Sequence, residues 1–112
     1  MYSKELLKGT LKTIILRLLS QNGRMYGYEI TQKVKLLTHE KINLTEGALY
    51  PALHKLESEG LLTTSVESMN GRKRKYYEVT QMGDAQAESK STEFMEFVQT
   101  MILLLNPQLS KK

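Results

Sequence analysis

The chain has 112 residues, a net charge of +4 and an ordinary balance of 40% hydrophobic and 25% charged residues. That is enough for one hydrophobic core, which excludes two separately cored domains and a disordered chain. Cysteine is absent and only His39 and His54 represent histidine, which excludes disulfides, thiolate metal sites and a cysteine nucleophile and leaves little for a zinc site or a histidine-based triad.

In chain order, Ser3 is a fitting N-cap for a first helix. Leu7, Leu11, Ile14, Ile15, Leu18 and Leu19 then follow helical spacing, and Gln21-Asn22-Gly23 is a stop signal. Gly9-Thr10 marks a candidate break early in this pattern. Tyr26-Gly27-Tyr28 opens a short second helix whose apolar stripe is Ile30, Val34 and Leu37, ending near Thr38. His39 to Leu44 reads as a connector with room for a short extended piece.

Thr45 caps a third helix, with Glu46 in its first turn, a stripe of Leu49, Ala52, Leu53 and Leu56, and Gly60 just past its end. Pro51 lies inside this helix, where a kink or an irregular first turn is expected. Leu61 to Ser68 reads as a strand with Leu62, Thr64 and Val66 on one face. Asn70-Gly71 is a hairpin turn signal, and Arg72 to Val79 returns. A two-residue loop there sets Glu67 opposite Arg74 and Leu62 opposite Val79. Thr80 caps a last helix running to about Leu105, before Asn106-Pro107 stop it. Three helices, a two-stranded β-ribbon and a further helix make a mostly α fold, the winged helix-turn-helix with a long C-terminal helix. The expected organisation is a DNA-binding unit over 1–80, a dimerisation helix over 81–105 packed on the same single domain, and a flexible tail over 106–112.

Charge is unevenly placed. Residues 1–80 carry 13 Lys/Arg against 8 Asp/Glu, and the densest cluster is Arg72-Lys73-Arg74-Lys75. Such a run is either a solvated loop tip or a contact for a polyanion, and its place on a wing beside a helix-turn-helix favours the second. With Leu49, Leu53 and Leu56 facing the core, Glu46, Gly47, Tyr50 and His54 fall on the outward side of the third helix. The helix start at Thr45 suits a phosphate, and His54 and Lys55 are placed to reach the backbone. Tyr50 reads either as a DNA contact or as an aromatic lid on the core edge. Tyr77 is expected inward and Tyr76 outward, with Tyr26 and Tyr28 as candidate phosphate contacts of which at least one is expected in the core.

The last helix carries Phe94, Phe97, Val98, Met101, Leu104 and Leu105 at helical spacing, more apolar surface than a core already closed by three helices and a hairpin can take up. Its expected partner is a second copy, giving a two-fold dimer, and folding back onto its own domain is the alternative.

These residues together resemble the PadR family of transcriptional regulators. The resemblance rests on Gly9-Thr10, on Tyr26-Gly27-Tyr28-Glu29-Ile30, and on Glu46-Gly47-Ala48-Leu49-Tyr50-Pro51-Ala52-Leu53. It continues through Leu56-Glu57-Ser58-Glu59-Gly60-Leu61-Leu62, Gly71-Arg72-Lys73-Arg74-Lys75-Tyr76-Tyr77, Thr80 and Gly83, covering roughly residues 5–98. The single long final helix is similar to the compact branch of that family. The resemblance implies a homodimeric, mostly repressing bacterial DNA-binding protein, joined through the last helix and often the first, which brings in Leu7 and Leu11. Some relatives bind phenolic acids or flat hydrophobic drugs near the dimer interface, where Phe94 would take the stacking position with Phe97 beside it. Tryptophan, used for stacking in some relatives, is absent, and Phe94 as a plain dimer-core residue is the safer reading.

The functional expectation is a homodimeric, sequence-specific transcriptional repressor acting on a double-stranded operator. It is released by a small hydrophobic or phenolic effector, or has a self-filled dimer core. The DNA-binding set is Thr45, Glu46, Gly47, Tyr50, His54, Lys55, Arg72, Lys73, Arg74, Lys75 and Tyr28. A winged-helix module for protein contacts, with only weak nonspecific DNA binding, is the competing reading. No cofactor, no metal and no enzymatic activity are expected, since the sequence offers no ligand cluster, phosphate loop or base–nucleophile pairing. The longest apolar run, Met101 to Leu105, is far short of the ~20 residues of a membrane span. With no leader pattern either, the expected location is the cytoplasm with no membrane partner.

Overall fold

The Ser3 hydroxyl accepts the Leu6 amide at 3.3 Å and starts α1 (Lys4–Asn22) in the computed structural model, which describes residues 2–106 and 108. The helix passes through Gly9-Thr10 without a break. Thr10 turns its hydroxyl back to the Leu6 carbonyl at 3.0 Å, so it satisfies itself on the helix surface. Gly23, at φ 81, ends the helix with its amide on the Leu19 carbonyl. Leu16 lies off the expected stripe yet is fully buried, because α1 packs against other elements on more than one side. Leu11, an interface candidate, is also buried in this core, and Leu7 is half-buried.

Met25–Tyr26 forms a short strand, β1, where the sequence reading began a helix. It pairs antiparallel with β3 (Arg72–Val79), Met25 opposite Tyr77 and Tyr26 opposite Tyr76. The ribbon of β2 (Leu62–Met69) and β3 is thereby one part of a three-stranded sheet in the order β1-β3-β2. Two residues show no alternation, and only the partner strand reveals such a segment.

The second helix, α2 (Gly27–Leu37), buries Gly27, Ile30 and Val34, while Leu37 is exposed rather than in the stripe. It stands in the last turn, where the chain reverses through two consecutive left-handed residues, His39 (φ 52) and Glu40 (φ 65), in place of the extended piece. The Glu40 amide reaches back to the Lys35 carbonyl at 2.8 Å and closes the helix end. A left-handed residue with a Cβ is disfavoured by roughly 1–2 kcal/mol. His39→Gly is therefore expected to raise stability by about 1 kcal/mol, read as a higher midpoint in thermal or urea unfolding, and an unchanged or lower midpoint would contradict the assignment.

Thr45 accepts the Ala48 amide at 3.2 Å and caps α3 (Glu46–Ser58), whose Leu49, Leu53 and Leu56 are fully buried. The helix continues across Pro51, whose ring is exposed. Gly60 (φ 79) and the Leu61 amide on the Leu56 carbonyl complete a Schellman closure between two buried leucines. Asn70 (φ 51) and Gly71 (φ 77) form the primed turn the dipeptide favours, and the register is as expected, Leu62 opposite Val79 and Glu67 opposite Arg74. Tyr77 is buried, but Val66 is exposed despite its parity with Leu62, because it lies farther out along the ribbon toward the hairpin tip.

Thr80 starts α4 (Gln81–Leu105) and ties it to the α3–β2 junction. Its hydroxyl accepts the Gly83 amide at 3.0 Å and donates to the Gly60 carbonyl, while its amide donates to the Leu61 carbonyl. Ser20 of α1 also donates to the Asp84 carboxylate. Among described residues only Gly83 and Ala87 of α4 are buried, and Phe94, Phe97, Leu104 and Leu105 are exposed, with Val98 and Met101 half-buried. The radius of gyration is 15.8 Å with extents of 57 × 29 × 21 Å, against about 13 Å for a compact chain of this size. Residues 107 and 109–112 of the expected tail lie outside the described residues.

Candidate nucleic-acid interface

The cap at Thr45 leaves the Glu46 and Gly47 amides at an exposed helix start with no partner among the described residues. One and two turns on, Tyr50 is half-buried and His54 and Lys55 are exposed. The Tyr50 ring packs on the core edge, as the lid alternative had it, and its hydroxyl lies over Gly27. A Cβ at Gly27 would collide with that hydroxyl, so glycine at the start of α2 is what leaves room for the ring there.

Across from this face stands the hairpin. Between them is a cleft of about 350 Å³, walled by Tyr28, Tyr50 and His54 on the helical side and by Lys73, Arg74 and Lys75 on β3. Alternation along β3 turns Lys73 and Lys75 to the side of buried Tyr77 and Arg72 and Arg74 to the other. Lys75 lies 4.0 Å from Glu57 of α3 and 5.5 Å from the Tyr77 ring, so it leans the wing toward the helix. Burial pushes the Tyr77 hydroxyl above the usual tyrosine range, and neighbouring Tyr50 and Glu57 add to this, so it stays protonated. Arg72 and Lys73, at the tip, make no ion pair among the described residues.

The opposite face of the sheet carries a cluster that the sequence reading lacked. Tyr26 and Tyr76 meet edge to face at 5.5 Å. The Arg74 guanidinium lies 4.3 Å over Tyr26, and that of Arg24 lies 4.3 Å over Tyr76. Arg24 also holds Glu67 at 2.6 Å, a contact that raises its own pKa further. Reading Met25–Tyr26 as a strand was the missing signal, since it puts these residues beside β3.

The cleft brings together Tyr28, Tyr50, His54, Lys73, Arg74 and Lys75, while Thr45, Glu46, Gly47, Lys55 and Arg72 lie outside its lining and the Arg72 and Arg74 side chains turn to the other face of the sheet. Thr45, Glu46, Gly47, Tyr50, His54, Lys55 and Tyr28 stand on the helical side, and Arg72, Lys73, Arg74 and Lys75 on the wing. The dimer candidates on α4 lie apart from the cleft. Among described residues there is no group of three or more His, Cys, Asp or Glu side chains placed to hold a metal, and no helix long and apolar enough to cross a membrane.

A capped helix following a short helix, with a basic hairpin beside it, defines a winged helix-turn-helix protein. The comparisons carry this to a family. The model of the transcriptional regulator PadR-like family matches residues 15–89, more than half of the chain. The chain belongs to that family, and it is a winged-helix, DNA-binding transcriptional regulator. It is similar to an uncharacterized protein of Lysinibacillus sphaericus, at 31% identity over 106 residues, covering 94% of this chain and 96% of the other. It is also similar to the transcriptional regulator Rv3488 of Mycobacterium tuberculosis, at 34% identity over 64 residues, 57% of each chain. A solved transcriptional regulator from Clostridium thermocellum superposes with a TM-score of 0.83 at 30% identity, over 95% of this chain and 99% of that one. A PadR-like regulator from Bacillus cereus gives 0.75 at 32%, over 92% and 98%.

Proposed function

We propose that the protein is a homodimeric, sequence-specific repressor. Residues 1–80 form its DNA-binding unit, and 81–105 form its dimerisation helix on the same domain. The start of α3 enters the major groove, where Thr45, Glu46 and Gly47 meet the backbone and base edges, with Tyr50, His54 and Tyr28 beside them. The wing cations run along phosphates or into the minor groove. The observation that carries this reading is the single cleft joining the outward face of α3 to Lys73, Arg74 and Lys75. Dimerisation places two such surfaces about one helical turn apart, roughly 34 Å. The apolar face of α4 supports it, since Phe97 and Leu104 are 56% and 71% exposed in a single subunit. A small hydrophobic or phenolic effector between the two copies of α4, against Phe94 and Phe97, would alter that spacing and release the operator.

The test is fluorescence anisotropy against a duplex from upstream of the protein's own coding region and a scrambled duplex, across a salt series. The upstream duplex is expected to win by ~10³ or more. Three phosphates neutralised per subunit give a slope of about −0.9 × 6 in log K against log salt. Arg72→Ala/Lys73→Ala is expected to weaken both duplexes and flatten that slope. Equal, weak binding to both duplexes, unmoved by the wing substitutions, would overturn the reading in favour of a protein partner for the wing.

A further inference from the structure

The β2–β3 register sets Glu67 directly opposite Arg74, the position where opposite charges on neighbouring antiparallel strands normally pair. They do not pair here. Glu67 is held at 2.6 Å by Arg24, which precedes β1 at the far edge of the sheet and reaches across β3 over the Tyr76 ring. The Arg74 guanidinium instead lies over Tyr26 and donates to the Met69 sulfur at 3.9 Å. The two arginines have in effect exchanged partners around the edge-to-face tyrosine pair. Glu67 is the one carboxylate in direct contact with either arginine, and the exchange decides which of the two is left without such a contact. Arg74 belongs to the wing, between Lys73 and Lys75 of the cleft lining, with its guanidinium on the outer face of the sheet, whereas Arg24 lies at the far edge beyond β1.

We propose that Arg24 is a positioning residue for DNA binding. By occupying Glu67 it keeps the carboxylate off Arg74, and the guanidinium is left without a carboxylate over Tyr26, on the outer face of the wing, for a phosphate. The energies suit such a choice. An exposed cation–π contact and an exposed cross-strand ion pair are of similar, modest strength, so removing the competitor for Glu67 is enough to redirect Arg74. The proposal rests on the DNA-binding reading above for its consequence, but the pairing itself is open to a DNA-free measurement.

Three variants decide it: Arg24→Gln, Arg24→Gln/Glu67→Gln and Arg24→Gln/Glu78→Gln. Glu78 is on the same face of β3 and acts on Arg24 through space, so its neutralisation restores the same net charge without releasing Arg74. The first readout is the NMR shift of the Arg74 side-chain protons, which the Tyr26 ring displaces upfield in the parent protein. That displacement is expected to collapse in Arg24→Gln, to return with Glu67→Gln, and to stay collapsed with Glu78→Gln. The second is anisotropy on the upstream duplex. One lost phosphate contact per subunit weakens binding about fivefold per subunit at about 0.15 M salt and flattens the salt slope by about 0.9 per subunit. Glu67→Gln restores both and Glu78→Gln restores neither. Arg74 shifts unmoved by Arg24→Gln, or equal rescue of affinity by Glu78→Gln, would overturn the proposal. So would a collapsed Arg74 shift with unchanged DNA affinity. A parent protein that prefers no duplex would instead sink the repressor reading, and the NMR arm would still decide whether Arg24 governs Arg74.

Discussion

Gly83→Ala is expected to destabilise the protein by about 3 kcal/mol, although alanine is the better helix former. A Cβ at Gly83 would collide with the Leu61 carbonyl oxygen and stand 2.9 Å from its carbon and 3.3 Å from its Cα. All three atoms are backbone, fixed by the Schellman closure of α3 on one side and by β2 on the other, so no side-chain rotation relieves the clash. The same carbonyl accepts the Thr80 amide at 3.0 Å. Moving α4 away breaks that bond and the bond from the Thr80 hydroxyl to Gly60, and draws Ala87 out of the core. Overpacking at a rigid site and loss of a backbone hydrogen bond each cost roughly 1–3 kcal/mol. Gly9→Ala is the control, since a Cβ there meets nothing within 4 Å. That substitution is expected to stabilise by about 0.5–1 kcal/mol through helix propensity alone. Urea unfolding of both variants checks the pair, and equal signs would show that the close approach of α4 to Leu61 is not what requires glycine.

The elements whose signals are local were legible in the sequence. Ser3, Thr45 and Thr80 each announce a helix and each caps one, because a side-chain oxygen three residues before a free amide needs no tertiary partner. Asn70-Gly71 fixed both the turn and the ladder register, since a two-residue primed turn admits one pairing. What escaped depends on distant parts of the chain. β1 is two residues whose only signature is the strand they meet some 50 positions later. Leu16 is buried because α4 and the α3 side both pack on α1, a fact no single-stripe reading contains. Leu37 and Val66 obey the right periodicity but sit where the chain turns away or the ribbon runs out from the body, so periodicity gave the face and not the depth.

The candidate site followed the same division. That Arg72 to Lys75 form a wing beside the outward face of α3 was readable from element order. Which of those cations is free was not. Register gave Glu67 to Arg74, whereas the side chains choose among all neighbours, and the third strand supplies Arg24 as a competitor. Likewise the sequence left Tyr50 open between an outward DNA contact and a lid on the core edge, and its packing follows the lid because Gly27 of α2 leaves room for its ring.

Phe97→Ser/Leu104→Ser is expected to convert the dimer to a monomer and to weaken operator binding by ~10²–10³. Both side chains are largely exposed in the single subunit, so their loss removes little of the subunit's own core. In a dimer whose helices pack these faces together, each would bury most of its surface, and truncating a buried Leu or Phe costs about 2–5 kcal/mol. Two such losses on each of two subunits exceed the energy of a micromolar interface, about 8 kcal/mol. DNA affinity then falls because the second half-site is no longer bound at the high effective concentration that the first engagement provides, a factor of 10²–10⁴ for linked modules. Serine keeps the net charge at +4, so the loss would not be electrostatic, and the salt slope is expected to halve as one subunit's phosphates drop out of the count. Sedimentation velocity reads the assembly state and anisotropy the affinity. Thermal melting supplies a third check, since the parent's midpoint is expected to rise with protein concentration and the variant's to stay fixed. A variant that remains dimeric would place the interface elsewhere than α4. A monomer with full operator affinity would show that one winged helix reads the site alone, and the exposed face of α4 would then belong to a different partner.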